Sequence, residues 1–309
     1  MSLLKKTFLV CVFLPLLFFC GEKKKRETIV IYVPATPASI PVLIAGSQMP
    51  NTSCVVFKNH SQAHQLFLNK EVDILFTGLS VGLIFFEKNL QIRILNSYVT
   101  GVTHLLTYGN KISNFSQLKG KTIIVPFENS PIDELTRFFI EREGLVYGKD
   151  IKVAYALPNG AKALLESGKN QAAPLPEPLV SVLLSKPGPV KYSFSYYDYY
   201  NKIAQNAKGY PQVAALLRAD FSGEKKEYLE KLNYELRAAI QLTRENPDEA
   251  VRLTINQFGL SAEIMKKALA RSVFHFNSSD SLAREVYEYY RTIGKPLPEK
   301  TREIFLAIP

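Results

Sequence analysis

LKGKTIIVPFENSPIDELTRFFIEREGL, residues 118–145, holds a complete strand–turn–helix unit. Leu118-Lys119-Gly120 forms a turn, and Lys121 to Pro126 (KTIIVP) is β-branched and apolar enough for a strand. Ser130 is suited to cap a helix, Pro131 to its first position, and Asp133 completes a capping-box-like pair. Ile132, Leu135, Phe138 and Phe139 then fall on one helical face, and Gly144 ends the run.

Similar units lie on both sides. Thr28 to Val33 (TIVIYV) predicts a strand followed by a helix reaching Ser47. Cys54 to Lys58 precedes a helix that ends near Asn69, and Val72 to Phe76 and Gln91 to Val99 are further strands. Downstream, Ile151 to Tyr155, a helix over 160–167 and a short run before Pro174 continue the alternation. Strands separated by about ten helical residues indicate βαβ units and a largely parallel sheet. From Glu224 onward the pattern reads almost wholly as helices, starting near Glu224, Pro247, Ser261 and Asp280 and ending before Gly294.

The 309 residues suffice for one large or two medium domains, and 47% hydrophobic with 21% charged residues is a globular composition. The net charge of +10 overstates the basicity of the body. Lys5 and Lys6 supply two charges, and four bases against two acids in residues 20–27 supply two more, leaving +6 for 28–309. No basic stripe interleaved with aromatics is present, so nucleic acid is not an expected partner.

The N-terminus reads as an export signal. Lys5 and Lys6 precede an apolar run from Thr7 to Phe19, whose helix would span ~20 Å against ~30 Å of hydrocarbon. Residues 1–19 are therefore expected to be a signal peptide. Leu17-Phe18-Phe19-Cys20-Gly21 resembles a bacterial lipobox, which implies lipidation at Cys20 and a basic tether over 20–27 (CGEKKKRE) suited to an anionic membrane surface. Phe19 departs from the small residue usual before such a cysteine, and an uncleaved anchor is the alternative. Cys11 lies in the apolar run, so Cys54 stands alone in the body, where it is expected as a buried strand thiol without a disulfide.

Three stretches together carry a resemblance: residues 118–145; Val72 to Gly78 (VDILFTG); and Leu164 to Pro178 (LLESGKNQAAPLPEP), with its small residues followed by Glu-Pro. In order and spacing over most of 28–270, the chain resembles the substrate-binding lipoproteins of bacterial ABC transporters. The branch is that of sulfonate, nitrate and thiamine-pyrimidine-precursor binders. The resemblance implies an α/β, two-lobe periplasmic-binding-protein-like (type II) fold with hinge strands and a C-terminal helical part packed on lobe one. Lobe one would comprise 28–100 plus 196–309 and lobe two 101–195, with crossings around 100–107 and 193–197. It also implies an exported monomer, facing the periplasm or cell exterior, that captures a small molecule by lobe closure and delivers it to an ABC permease.

Ligands of open α/β sheets bind beyond the carboxyl ends of the strands. That rule selects Thr36, His60, Thr77, Ser80, Asn129, Ser130 and Glu177 as ligand-binding candidates. Amides of the helix opened by Ser130 suit an anion, whereas Glu128 and Glu177 suit cations or amines, so the ligand's charge stays open among a sulfonate, a nitrate-like anion and a pyrimidine. No cofactor is expected.

Other constellations compete. Gly78-Leu79-Ser80-Val81-Gly82 matches the G-x-S-x-G elbow of serine hydrolases and follows a strand, but the later histidines, His104 and His275, are badly placed for a triad and no HGGG-like loop precedes it. His60 and His64 are four apart, as zinc sites require, yet lack a third ligand; His60 is expected to line the cleft, with His64 on a helix surface and no metal bound. The aromatics of 196–200 either stack on a flat heterocycle or pack at the hinge. A two-lobe sensor or surface lipoprotein without a transporter is the remaining alternative.

Overall fold

The computed structural model describes residues 28–205 and 208–309. Cys20 and its tether lie outside the described residues. In chain order the first unit comprises β1 (Ile29–Pro34), α1 (Ser39–Ser47), β2 (Thr52–Phe57), α2 (His60–Leu68), β3 (Ile74–Gly78), α3 (Leu79–Glu87) and β4 (Ile92–Gly101). The next comprises β5 (Thr103–Tyr108), β6 (Thr122–Pro126), α4 (Pro131–Arg142), β7 (Lys152–Ala156), α5 (Pro158–Glu166), β8 (Ala172–Pro176), α6 (Leu179–Leu184) and β9 (Val190–Ser195). The chain ends with α7 (Tyr196–Ala204), β10 (Val213–Arg218), α8 (Ala219–Glu224), α9 (Lys226–Glu245), α10 (Pro247–Thr254), α11 (Ala262–Ala270), β11 (Val273–Ser278) and α12 (Ser279–Thr292).

Two sheets result. The first has the order β11-β4-β10-β3-β1-β2 and the second β7-β6-β8-β5-β9. In the first, β1 runs parallel to β2 and β3, and β10 is inserted antiparallel between β3 and β4. In the second, β6 runs parallel to β7 and β8, and β5 is inserted antiparallel between β8 and β9. Apart from β11, the two sheets repeat one strand plan, and the connection from β4 to β5 passes between them at Val102.

Burial explains the sequence pattern. The central β3 and β10 are buried along almost their whole length, so their sequences (ILFTG, VAALLR) are continuous apolar runs. At the edge, β2 alternates half-buried and exposed residues until Phe57. Cys54 is half-buried there, a free thiol pushed up to about 11 by burial. Its sulfur occupies the space a Cβ on Gly46 would need, 2.3 Å away, so α1 approaches β2 closely only because residue 46 is glycine.

The C-terminal reading needs one correction. Residues 273–278 form a strand, β11, paired antiparallel to β4, where helix was expected. Val273-Phe274-His275-Phe276 supplies the β propensity, and a free sheet edge supplies the partner. Around it, α9, α10 and α11 contribute Leu232, Leu236, Val251, Met265 and Leu269 to the same core as β1 and β4.

Candidate functional site

The carboxyl ends of the two sheets face each other. The His60 ring, at the start of α2, meets Phe127 edge-on at 5.5 Å. Gly78, at the end of β3, lies against Pro131 at the start of α4, so that an added Cβ would sit 3.7 Å from its Cγ. Each strand end is built by local chemistry. Asn59 caps α2 by accepting from the Gln62 amide at 3.1 Å, and Ser130 caps α4 by accepting from the Asp133 amide at 3.3 Å.

Phe127 and Asn129 both adopt left-handed backbone conformations, with φ of 57° and 58°. For a bulky phenylalanine this costs about 1–2 kcal/mol. Such strain persists only where the surroundings hold it, and here it delivers the Phe127 ring to His60.

Among the sequence candidates, Thr77 is buried and hydrogen-bonded to His64 Nε2 at 3.2 Å. His64 is therefore not a surface residue: its ring also meets Phe85 at 5.7 Å and His60 at 6.2 Å. Burial lowers the pKa of His60; burial first and the charge of His60 second bring His64 down to about 4. Both imidazoles are thus neutral near pH 7. The described residues contain no cluster of three His, Cys, Asp or Glu able to hold a metal ion.

Ser80 is buried, and its hydroxyl has no hydrogen-bond partner among the described residues. No imidazole touches it, so the elbow lacks a base. Gly82, the second glycine of that motif, has a packing role, since a Cβ there would lie 2.7 Å from Leu216 Cδ2 of β10. Thr36 is half-buried in the turn after β1, and Asn129 is exposed.

Two candidates are engaged by the protein itself. The Ser130 hydroxyl, besides capping, donates to the Pro126 carbonyl at 3.1 Å. Glu177 is fully buried and accepts from the Ser181 amide and hydroxyl, each at 3.0 Å. Arg271, which follows α11, donates from Nη1 to Ser181 Oγ at 2.9 Å and lies 3.5 Å from Glu177 Oε1. Burial raises the Glu177 pKa, against the opposing pull of Ser181 and Arg271.

The opening of α4 is also occupied. Asp133 is buried and accepts from the Asn129 amide at 2.9 Å, from the Tyr155 hydroxyl at 3.2 Å and from the Tyr147 hydroxyl. Glu134 pairs with Lys295 at 3.1 Å. These carboxylates already compensate the positive end of the helix dipole.

The aromatic run resolves toward packing. Tyr196 and Tyr200 are buried, Tyr199 stacks on Phe194 at 4.5 Å, and the Tyr196 hydroxyl bonds Thr136 at 2.8 Å. Sequence reasoning missed Arg271 and Phe127. His104 is buried on β5, bonded through Nδ1 to the Tyr192 hydroxyl at 3.3 Å.

No protein-family model and no curated protein matches the sequence. Solved structures do match the fold. The ligand-binding component of an ABC-type import system from Staphylococcus aureus, solved with zinc, superposes with a TM-score of 0.73 at 12% identity, covering 91% of this chain and 97% of that one. The periplasmic aliphatic sulphonate binding protein SsuA from Escherichia coli gives 0.73 at 18% identity, covering 91% and 98%. The periplasmic nitrate-binding protein NrtA from Synechocystis gives 0.64 at 16%, covering 78% and 70%. The chain thus has the fold of the periplasmic binding proteins of ABC importers.

Proposed function

We propose that the protein is the extracytoplasmic substrate-binding component of an ABC importer, capturing one small molecule between two lobes. The observation that carries this reading is the meeting of strand ends from both sheets at His60–Phe127 and Gly78–Pro131. The lobes are residues 28–100 plus 196–309 and residues 101–195. Thr36, His60, Thr77, Ser80, Asn129 and Ser130 line the cleft from both sides, and Glu177 shapes it from behind. Cys20 anchors the chain to a membrane, and a permease receives the ligand. The hydrolase alternative draws no support from Ser80, whose hydroxyl has no base beside it.

Native mass spectrometry of the purified protein identifies any retained ligand, and small-angle scattering with and without that molecule tests closure. A radius of gyration unchanged by every molecule that binds would overturn the capture reading.

A further inference from the structure

Two ion pairs join residues 101–195 to the rest of the chain, and both have the same polarity. In one clasp Arg271 Nη1 lies 3.5 Å from Glu177 Oε1 and donates to Ser181 Oγ at 2.9 Å. In the other, Lys295 Nζ lies 3.1 Å from Glu134 Oε1. The cations come from residues 196–309, each just beyond the end of a helix: Arg271 follows α11 and Lys295 follows α12. The carboxylates belong to residues 101–195, each at the start of a helix: Glu134 in the first turn of α4, and Glu177 one residue before Pro178, which opens α6.

The clasps lie on opposite faces of both sheets. On the first sheet, Met265 and Leu269 of α11 share a core with Ala215 and Leu217 of β10, whereas Leu282 and Val286 of α12 share one with Ala214 and Leu216. On the second, Leu135 and Phe139 of α4 share a core with Ile123 and Val125 of β6, whereas Val180 and Leu183 of α6 share one with Ile124. Alternate residues of a strand point to opposite faces. The two halves are therefore tied by charge on both faces.

We infer that these two clasps are closure latches, which hold the lobes together before any ligand arrives. The inference rests on the two-lobe capture reading. Glu177 is fully and Glu134 largely buried, whereas Arg271 and Lys295 are partly exposed. A buried carboxylate is tolerated beside its cation and costly without it. Removing either cation therefore disfavours the closed form, in which the carboxylate is shielded from water. With both cations present, the free protein already populates a closed form, and a ligand shifts that population rather than creating it.

The test is small-angle scattering on wild type, Lys295→Met, Lys295→Glu, Arg271→Gln and Lys295→Met/Arg271→Gln, each shown by native mass spectrometry to carry no small molecule. Circular dichroism establishes which variants are folded. The expected result is a larger radius of gyration in each single variant and a larger one still in the double. For Lys295→Met the closed-to-open ratio should fall about fivefold, and adding Glu134→Gln should return the radius toward that of the wild type. A folded Lys295→Glu with the wild-type radius overturns the inference, and this arm stands even if Arg271→Gln fails to fold. Failure of the Glu134→Gln rescue also overturns it. Failure of the capture reading is seen separately: variants that expand while no bound molecule compacts any of them refute capture and leave the latches standing, whereas compaction on binding with no expansion in the variants refutes the latches alone.

Discussion

Lys295 Nζ lies 3.1 Å from Glu134 Oε1, tying the loop after α12 to the first turn of α4. Lys295 is about half exposed whereas Glu134 is largely buried, and burial raises the Glu134 pKa while Lys295 opposes the rise. Lys295→Met is therefore expected to lower stability by about 1 kcal/mol, the upper range for a partly exposed pair. Urea denaturation measures the loss, and Glu134→Gln added to it should recover part. A double variant as unstable as the sum of the singles would show that the pair is uncoupled.

Phe127 adopts φ of 57° to reach His60. Phe127→Gly relieves the backbone strain while deleting the ring, so global stability should change by less than ~1 kcal/mol. Contact between the lobes should weaken all the same, giving a larger radius of gyration in scattering. A variant as compact as the wild type would remove the ring from any role in closure.

Gly82 and Gly223 give opposite expectations for the same substitution. A Cβ at Gly82 meets Leu216 Cδ2 at 2.7 Å, and one at Gly223 meets nothing within 4 Å. Gly82→Ala should cost about 1–3 kcal/mol through overpacking. Gly223→Ala should be neutral or stabilise by up to ~1 kcal/mol through helix propensity. Equal denaturation midpoints for the two variants would contradict the close approach of α3 to β10.

Acid should weaken the fold through its histidines. Burial, and secondly the charge of Arg271, push the His104 pKa down to about 4; His64 is held near the same value. Both folded values lie below the unfolded value near ~6.5. The neutral forms thus stabilise the fold fully above that value, and the contribution is lost as pH falls toward 4. His104 accounts for up to about 1.4 kcal/mol per pH unit in this window, and the more solvated His64 for less. Glu177, whose pKa burial raises, acts in the opposite sense as it titrates. Urea melts at pH 7, 5.5 and 4.5 should show the slope shrinking in His104→Asn; an unchanged slope would place the effect elsewhere.

A fluorophosphonate probe is expected to leave Ser80 unlabelled. Ser80→Ala should change stability by under ~1 kcal/mol, because it removes a buried hydroxyl that has no partner. Stoichiometric labelling lost in Ser80→Ala would restore the hydrolase reading.

Features encoded within a few residues were legible in the sequence. The Ser130 cap, Pro131 and the 131–142 helix are all found, since capping depends on atoms only three residues apart. The strand ends likewise follow from the alternation, which brought Thr77, His60 and Ser130 to notice. What depends on distant pairing was not legible. VFHFNS is a strand because β4 offers an edge some 175 residues earlier, and the Glu177–Arg271 clasp joins positions with no shared local pattern. His64 faces inward because Thr77 and Phe85 cover it, a fact held in packing rather than spacing.

The inserted strands also set an order of assembly. All five strands of the second sheet lie within residues 103–195, so that sheet can form as soon as those residues are available. The first sheet cannot, because β3 and β4 are joined only through β10, more than a hundred residues later. Closing so long a loop carries an entropic cost that slows folding. Until residue 218 is present, β3 and β4 remain apolar edges without a neighbour. The vulnerable moment in the life of this chain is therefore the interval before β10 arrives, when half of the molecule is folded and the other half is waiting for its middle strand.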